Sequence, residues 1–130
     1  MRYLRKYELF NGGRIANQLK NDLNAGIYGL NELMQSIVEK DYRKFMKLIK
    51  NTNLEEADNN GNTALIVASH AGQLTMVKEL INSGADITHK NNDGDDFYDV
   101  AVNRFKFING VKDWIEKNYP EFIMAKKYNL

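Results

Sequence analysis

Residues 58–87 read Asp58-Asn59-Asn60-Gly61-Asn62-Thr63-Ala64-Leu65-Ile66-Val67-Ala68-Ser69-His70-Ala71-Gly72-Gln73-Leu74-Thr75-Met76-Val77-Lys78-Glu79-Leu80-Ile81-Asn82-Ser83-Gly84-Ala85-Asp86-Ile87, and this stretch decides the fold. Thr63 is a good helix N-cap, because a hydroxyl can accept from an orphan backbone N–H in the first turn. Apolar and small residues then run to Ala71, with Leu65, Ala68 and Ser69 forming an inward stripe. Gly72 suits the left-handed residue that commonly ends a helix. From Leu74 to Asn82, Leu74, Val77, Leu80 and Ile81 share one helix face. Gly84 closes that second helix, and Ala85-Asp86-Ile87 leads out as extended chain. The turn Asp58-Asn59-Asn60-Gly61 returns 33 residues later as Asn91-Asn92-Asp93-Gly94. A period of this length marks stacked supersecondary units.

The ordered set Asp58, Gly61, Thr63, Ala64, Leu65, Ala68, Gly72, Val77, Leu80, Ile81 and Gly84-Ala85-Asp86-Ile87 resembles one full ankyrin repeat. Two positions depart from that family. Ala64 stands where its proline falls, so the helix start loses pre-organised geometry. Ile66 stands where its histidine falls, so a hydrogen bond that ties neighbouring turns is missing. The resemblance implies an all-α ankyrin-repeat solenoid: stacked helix-turn-helix units, projecting turns and atypical capping segments.

The flanks fit the same pattern. Residues 26–57 are expected to form an earlier, degraded repeat, with a first helix over 31–38 and a second carrying Phe45, Leu48 and Ile49. Residues 58–90 are the clear repeat. Residues 91–118 open a third at Asp96, with Val111, Trp114 and Ile115 on its second helix if one residue is inserted near 105–110. Residues 119–130 form a C-terminal cap or tail, with a short helix from Glu121 to Tyr128 that turns Phe122, Ile123 and Ala125 to the stack. Residues 1–25 fall outside the resemblance, with a possible short capping helix on Ile15, Leu19 and Leu23 and an aromatic patch at Tyr3, Tyr7 and Phe10.

Composition narrows the chemistry. The chain has 130 residues, enough for one domain with a core. It has no cysteine, which removes disulfides, thiolate metal sites and cysteine nucleophiles. Its net charge of +1 argues for no global attraction to nucleic acid. No stretch approaches the ~20 apolar residues of a membrane helix, and the basic start lacks the apolar run of a secretory signal, so a cytoplasmic location is expected. The 17 asparagines against 9 glycines and one proline indicate many turns.

No catalytic, cofactor or metal site is expected. His70 and His89 have no carboxylate or nucleophile at a matched spacing, and both are expected at the surface. Asp93, Asp95, Asp96 and Asp99 do not make a calcium loop: with Gly94 as its central glycine, the end positions would be His89 and Val100. Asp96 is expected to cap a helix. Gly12-Gly13 has no phosphate-loop context.

The resemblance implies a non-enzymatic module that binds a protein partner through the turn tips and the exposed side of the first helices. The positions that would face a partner are Asn59, Asn60, Asn62, His70, Lys90, Asn92, Asp93, Asp95, Asn103 and Arg104. An inhibitor or adaptor of viral, phage or bacterial origin, monomeric when unbound, is the expected form. The alternatives are an assembly component using the aromatic N-terminal segment, and a nucleic-acid accessory using Arg2, Arg5 and Lys6.

Overall fold

The computed structural model describes residues 29–104 and 110–128. Seven helices lie within them: α1 (Glu32–Val38), α2 (Tyr42–Leu48), α3 (Ala64–His70), α4 (Leu74–Asn82), α5 (Phe97–Arg104), α6 (Val111–Asn118) and α7 (Pro120–Tyr128). The described residues hold no strand. The expected tail helix therefore starts one residue earlier, at Pro120, a residue suited to a first helical turn. The insertion expected near 105–110 falls on a stretch of which residues 105–109 lie outside the described residues, as do residues 1–25.

Side chains cap the starts of α1, α2 and α5. The Asn31 side chain accepts from Met34 N at 2.8 Å, and that of Asp41 from Lys44 N at 3.1 Å. Asp96 and Asp99 cap α5 reciprocally: Asp96 Oδ1 accepts from Asp99 N at 2.9 Å, and Asp99 Oδ2 from Asp96 N at 3.1 Å. Thr63 occupies the N-cap of α3 in extended conformation, but its side chain makes no capping bond. Its Oγ1 is buried and meets no hydrogen-bond partner among the described residues.

α1, α3 and α5 pack side by side as an inner row, while α2, α4 and α6 each back onto the inner helix of their own pair. The core follows this plan. Leu33, Met34, Ile37 and Phe45 fill the first layer, Leu65, Ile66, Val77 and Leu80 the second, and Phe97, Ala101, Val111 and Ile115 the third. Ser69 donates from Oγ to the Phe97 carbonyl, tying α3 to α5 within that core. All seven residues of α3 are buried, which its continuous apolar composition favours. Between α1 and α2 the turn falls to Lys40 at φ +60°, in the same role that Gly72 plays at φ +70° between α3 and α4.

α7 packs against α6 and lays side chains on the first turn of α5. The Phe122 ring lies 5.9 Å from that of Phe97 and edge-on to Tyr98 at 6.5 Å. Lys126 Nζ reaches Asp96 Oδ2 at 2.7 Å and Asp99 Oδ1 at 3.0 Å. Burial pulls the Lys126 ammonium down, but the hydrogen bonds and charges of Asp96 and Asp99 outweigh it and hold it above the usual lysine range. Burial likewise pushes Asp99 up, and the Lys126 contact more than reverses that.

Candidate interaction edge

Two successive turns, 58–62 and 91–95, are built by the same backbone plan. Asp58 N donates to Asn62 O at 2.9 Å, and Asn91 N to Asp95 O at 2.9 Å. Asp58 Oδ1 accepts from the N–H groups of Asn60 and Asn62, each at 2.9 Å. Asn91 Oδ1 accepts from those of Asp93 and Asp95, each at 3.0 Å. A short side-chain oxygen can bond backbone two residues on, which is why Asp and Asn suit this position.

The turns are also bonded to each other. Asn91 Nδ2 donates to Asn62 Oδ1 at 2.9 Å. Asn92 N donates to Asn60 O at 3.0 Å and Asn92 Nδ2 to Asn59 O at 3.3 Å. His89 Nε2 lies 2.9 Å from Gly61 O, so that nitrogen carries the proton. Glu55 Oε2 accepts from Asp86 N at 3.1 Å, and Glu56 Oε1 from Asn31 Nδ2 at 3.3 Å. Gly61 permits the close approach. It sits at φ +78°, and a Cβ there would lie 2.5 Å from Asn92 Oδ1 and 2.8 Å from Asn92 N.

This arrangement redistributes the ten expected contact residues. Asn59, Lys90, Asn92, Asp93 and Asn103 are exposed, and Asn60 and Asp95 are half-buried. Asn62 is fully buried, and its carboxamide bonds Asp58 Oδ2 at 3.3 Å and Asn91, so it is an internal tie and offers nothing to a partner. His70 corrects the expectation more sharply. It is 7% exposed at the end of α3, and burial pushes its imidazole down to about 4, so it is neutral at pH 7. His89 is half-buried and bonded to Gly61, so neither histidine is a simple surface residue. Because α3 is buried on all sides, it contributes no exposed inner-helix surface, and the accessible residues lie on the turn tips and on α5. The side chain of Arg104 lies outside the described residues.

The sequence did not single out Glu55, Glu56 and Asp86, which extend the same edge and are all exposed. Their signal was the Glu55-Glu56 pair in the first inter-repeat segment and the lone Asp86 in the second. Asp95 feels the crowding: burial raises its carboxyl above the usual range, and the charges of Asp99, Asp93 and Asp96 add to this. Beside α7 an open cleft of about 500 Å³ is lined by Thr88, Lys90, Asp96, Asp99, Phe122, Ala125 and Lys126. Among the described residues no cluster of His, Asp or Glu could hold a metal ion, and no helix is long and apolar enough to cross a membrane.

The comparisons with known proteins fit this geometry. Residues 7–94, more than half of the chain, match the family model for ankyrin repeats in three copies. The match takes in part of the segment that the sequence placed outside the repeats, and it stops in the turn before α5. Over 83 residues the chain is 37% identical to alpha-latroinsectotoxin-Lt1a of Latrodectus tredecimguttatus, covering 62% of this chain and 6% of the toxin. It also resembles a chain of the solved complex of the Bd0816 predatory endopeptidase from Bdellovibrio bacteriovorus with immunity protein Bd3460. The TM-score there is 0.61 at 26% identity, over 68% of this chain and 46% of that one. This chain therefore spans well under two thirds of either relative. The period of 33, the paired helices and the bonded turns agree with the family match, and the chain belongs to the ankyrin repeat family.

Proposed function

We propose that this chain is a non-enzymatic module that docks on a protein partner through the turn edge. Asn59, Lys90, Asn92, Asp93 and Asn103 would make the contacts, with Asn60 and Asp95 behind them. The observation that carries this reading is the hydrogen-bonded ladder between the turns at 58–62 and 91–95. A surface held in place before encounter loses little entropy on binding. Polar, amide-rich tips favour a wet interface bridged by hydrogen bonds. The ankyrin repeat family generally serves protein–protein interaction, and the solved complex it resembles pairs an endopeptidase with an immunity protein. That pairing supports an inhibitor or adaptor as the form of docking.

Affinity capture from the native cell tests the proposal. The wild type is compared with a Lys90→Glu/Asp93→Lys/Asn103→Arg variant, whose changed side chains are exposed and make no rung of the ladder. A partner held by the wild type and released by the variant, with the thermal midpoint unmoved, supports the turn edge. A partner held equally by both sinks it. The assembly reading depends on residues 1–25; light scattering that shows a large particle, lost on deleting them, would favour it instead.

A further inference from the structure

A second charged surface lies on the outer side of the stack, on α2. Arg43, Lys47 and Lys50 are exposed. They fall within about 60° of one another viewed down the helix, because Ile49 continues the helical screw past the end of α2. The face lies opposite Phe45, which is fully buried. Tyr42 is exposed about 80° further round the helix from Lys50, with its ring stacked on Phe45 at 6.1 Å.

Stability does not account for this stripe. Like charges at i, i+4 and i, i+3 cost a helix a few tenths of a kcal/mol each. Lys47 and Lys50 gain from the negative end of the helix, but Arg43 sits in the first turn, where the dipole disfavours it. Asp41 spends a carboxylate oxygen on Lys44 N. Among the described residues no ion pair reaches Arg43, Lys47 or Lys50. Lys112 and Lys126, by contrast, are paired with Glu116 and with Asp96 and Asp99.

We infer that the α2 stripe is a second docking surface, and that its occupant is a short acidic segment of a protein. Charge complementarity selects an anionic occupant, and size selects a short one. From Arg43 to Lys50 the stripe spans roughly 10 Å. Beyond Lys50 the next exposed charged side chains along the chain are Glu55 and Glu56, so the run of positive charge ends with the stripe and does not extend into a track for a long polyanion such as nucleic acid. Arginine is among the residues that most often anchor interfaces, and Arg43 opens the stripe. This surface uses none of the turn-edge residues, so it stands or falls independently of the reading above.

The test is fluorescence anisotropy of a labelled tetra-glutamate peptide and of a labelled oligouridylate, at low and physiological ionic strength, using the full chain. The expected result is salt-sensitive binding of tetra-glutamate that Arg43→Gln/Lys47→Gln/Lys50→Gln weakens about tenfold. The Lys90→Glu/Asp93→Lys/Asn103→Arg variant should bind it as the wild type does. Circular dichroism checks that both variants fold, and Arg43→Glu alone provides a milder second variant that should weaken binding in the same direction. Absence of tetra-glutamate binding at low ionic strength overturns the inference. So does an affinity unmoved by the substitutions, or tighter binding of the oligouridylate than of tetra-glutamate.

Discussion

Asn91 bonds in two directions at once: its Oδ1 accepts from the backbone of its own turn, and its Nδ2 donates to Asn62 Oδ1 of the preceding turn at 2.9 Å. Asp58, one period earlier, performs only the first of these tasks among the bonds described. The exchange of a carboxylate for an amide adds the buried side-chain tie to the bonds that Asn92 and His89 make between the two turns. Asn91→Asp should therefore keep the turn and lose the tie, setting a charge against a buried carboxamide oxygen. The expected cost is about 1–3 kcal/mol, read as a lower denaturant midpoint. An unchanged midpoint would show that the tie carries no stability.

Thr63 offers the opposite case. Its buried hydroxyl has no hydrogen-bond partner among the described residues, so the desolvation of that group is uncompensated. Thr63→Val keeps the shape and removes the hydroxyl. It should raise stability by about 0.5–1 kcal/mol, and chemical denaturation would register this as a higher midpoint with an unaltered slope.

Lys40 holds φ +60°, where a side chain costs about 1–2 kcal/mol relative to the right-handed region. Lys40→Gly relieves that strain but gives back part of it through the entropy of the unfolded chain. A net gain of about 0.5–1 kcal/mol is expected. Thermal unfolding of the single variant is sufficient to test it.

His70 makes stability depend on pH. Its folded pKa, about 4, lies below the unfolded value of about 6.5, so between them the unfolded chain binds more protons. Stability is full above the unfolded value and falls as pH drops from about 6.5 towards 4. The loss is of order 1–3 kcal/mol. Urea midpoints across that range should slope for the wild type and flatten in His70→Leu.

Lys126 neutralises Asp96, whose side chain is 3% exposed, together with Asp99. Lys126→Met keeps the aliphatic stem on Phe122 and removes the charge. The expected cost at neutral pH is about 1–3 kcal/mol, less than for a fully buried pair because Lys126 is a quarter exposed. Asp99 is held below the usual carboxylate range, so its share of the stabilisation is present above its unfolded pKa and is lost as pH falls through its folded one. Wild type and variant should converge in strong acid.

The sequence made the helix pairs legible because their apolar spacing and terminating residues are local signals. Leu74–Asn82 was readable to the residue, and Asp96 announced its capping role, whereas Asn31, read as the first residue of its helix, is the cap before it. The site was less legible, because burial at Asn62 and His70 is set by neighbours rather than by residue type. A polar residue in a turn can face solvent or another turn with the same local chemistry. Asn62 faces Asn91, a fact that resides in the stacking of two repeats. His70 ends a helix whose every residue is enclosed, and only the packing of α1, α4 and α5 around α3 reveals it. Likewise Ile66 shows that one inter-turn bond is lost, but not that His89 and Asn91 supply others.

The seating of α7 on α5 bears on how such an array could grow. Gene duplication lengthens a solenoid by inserting a unit whose inner helix takes the next place in the row. Beside the first turn of α5 that space is held by Phe122 and Lys126. A copied unit grafted there would have to evict α7 and provide its own aromatic and its own cation. Insertion between α3 and α5 asks less of a newcomer, since both of its neighbours would be repeat helices. Lengthened relatives of this chain should therefore differ in the middle of the row and retain the α5–α7 pairing.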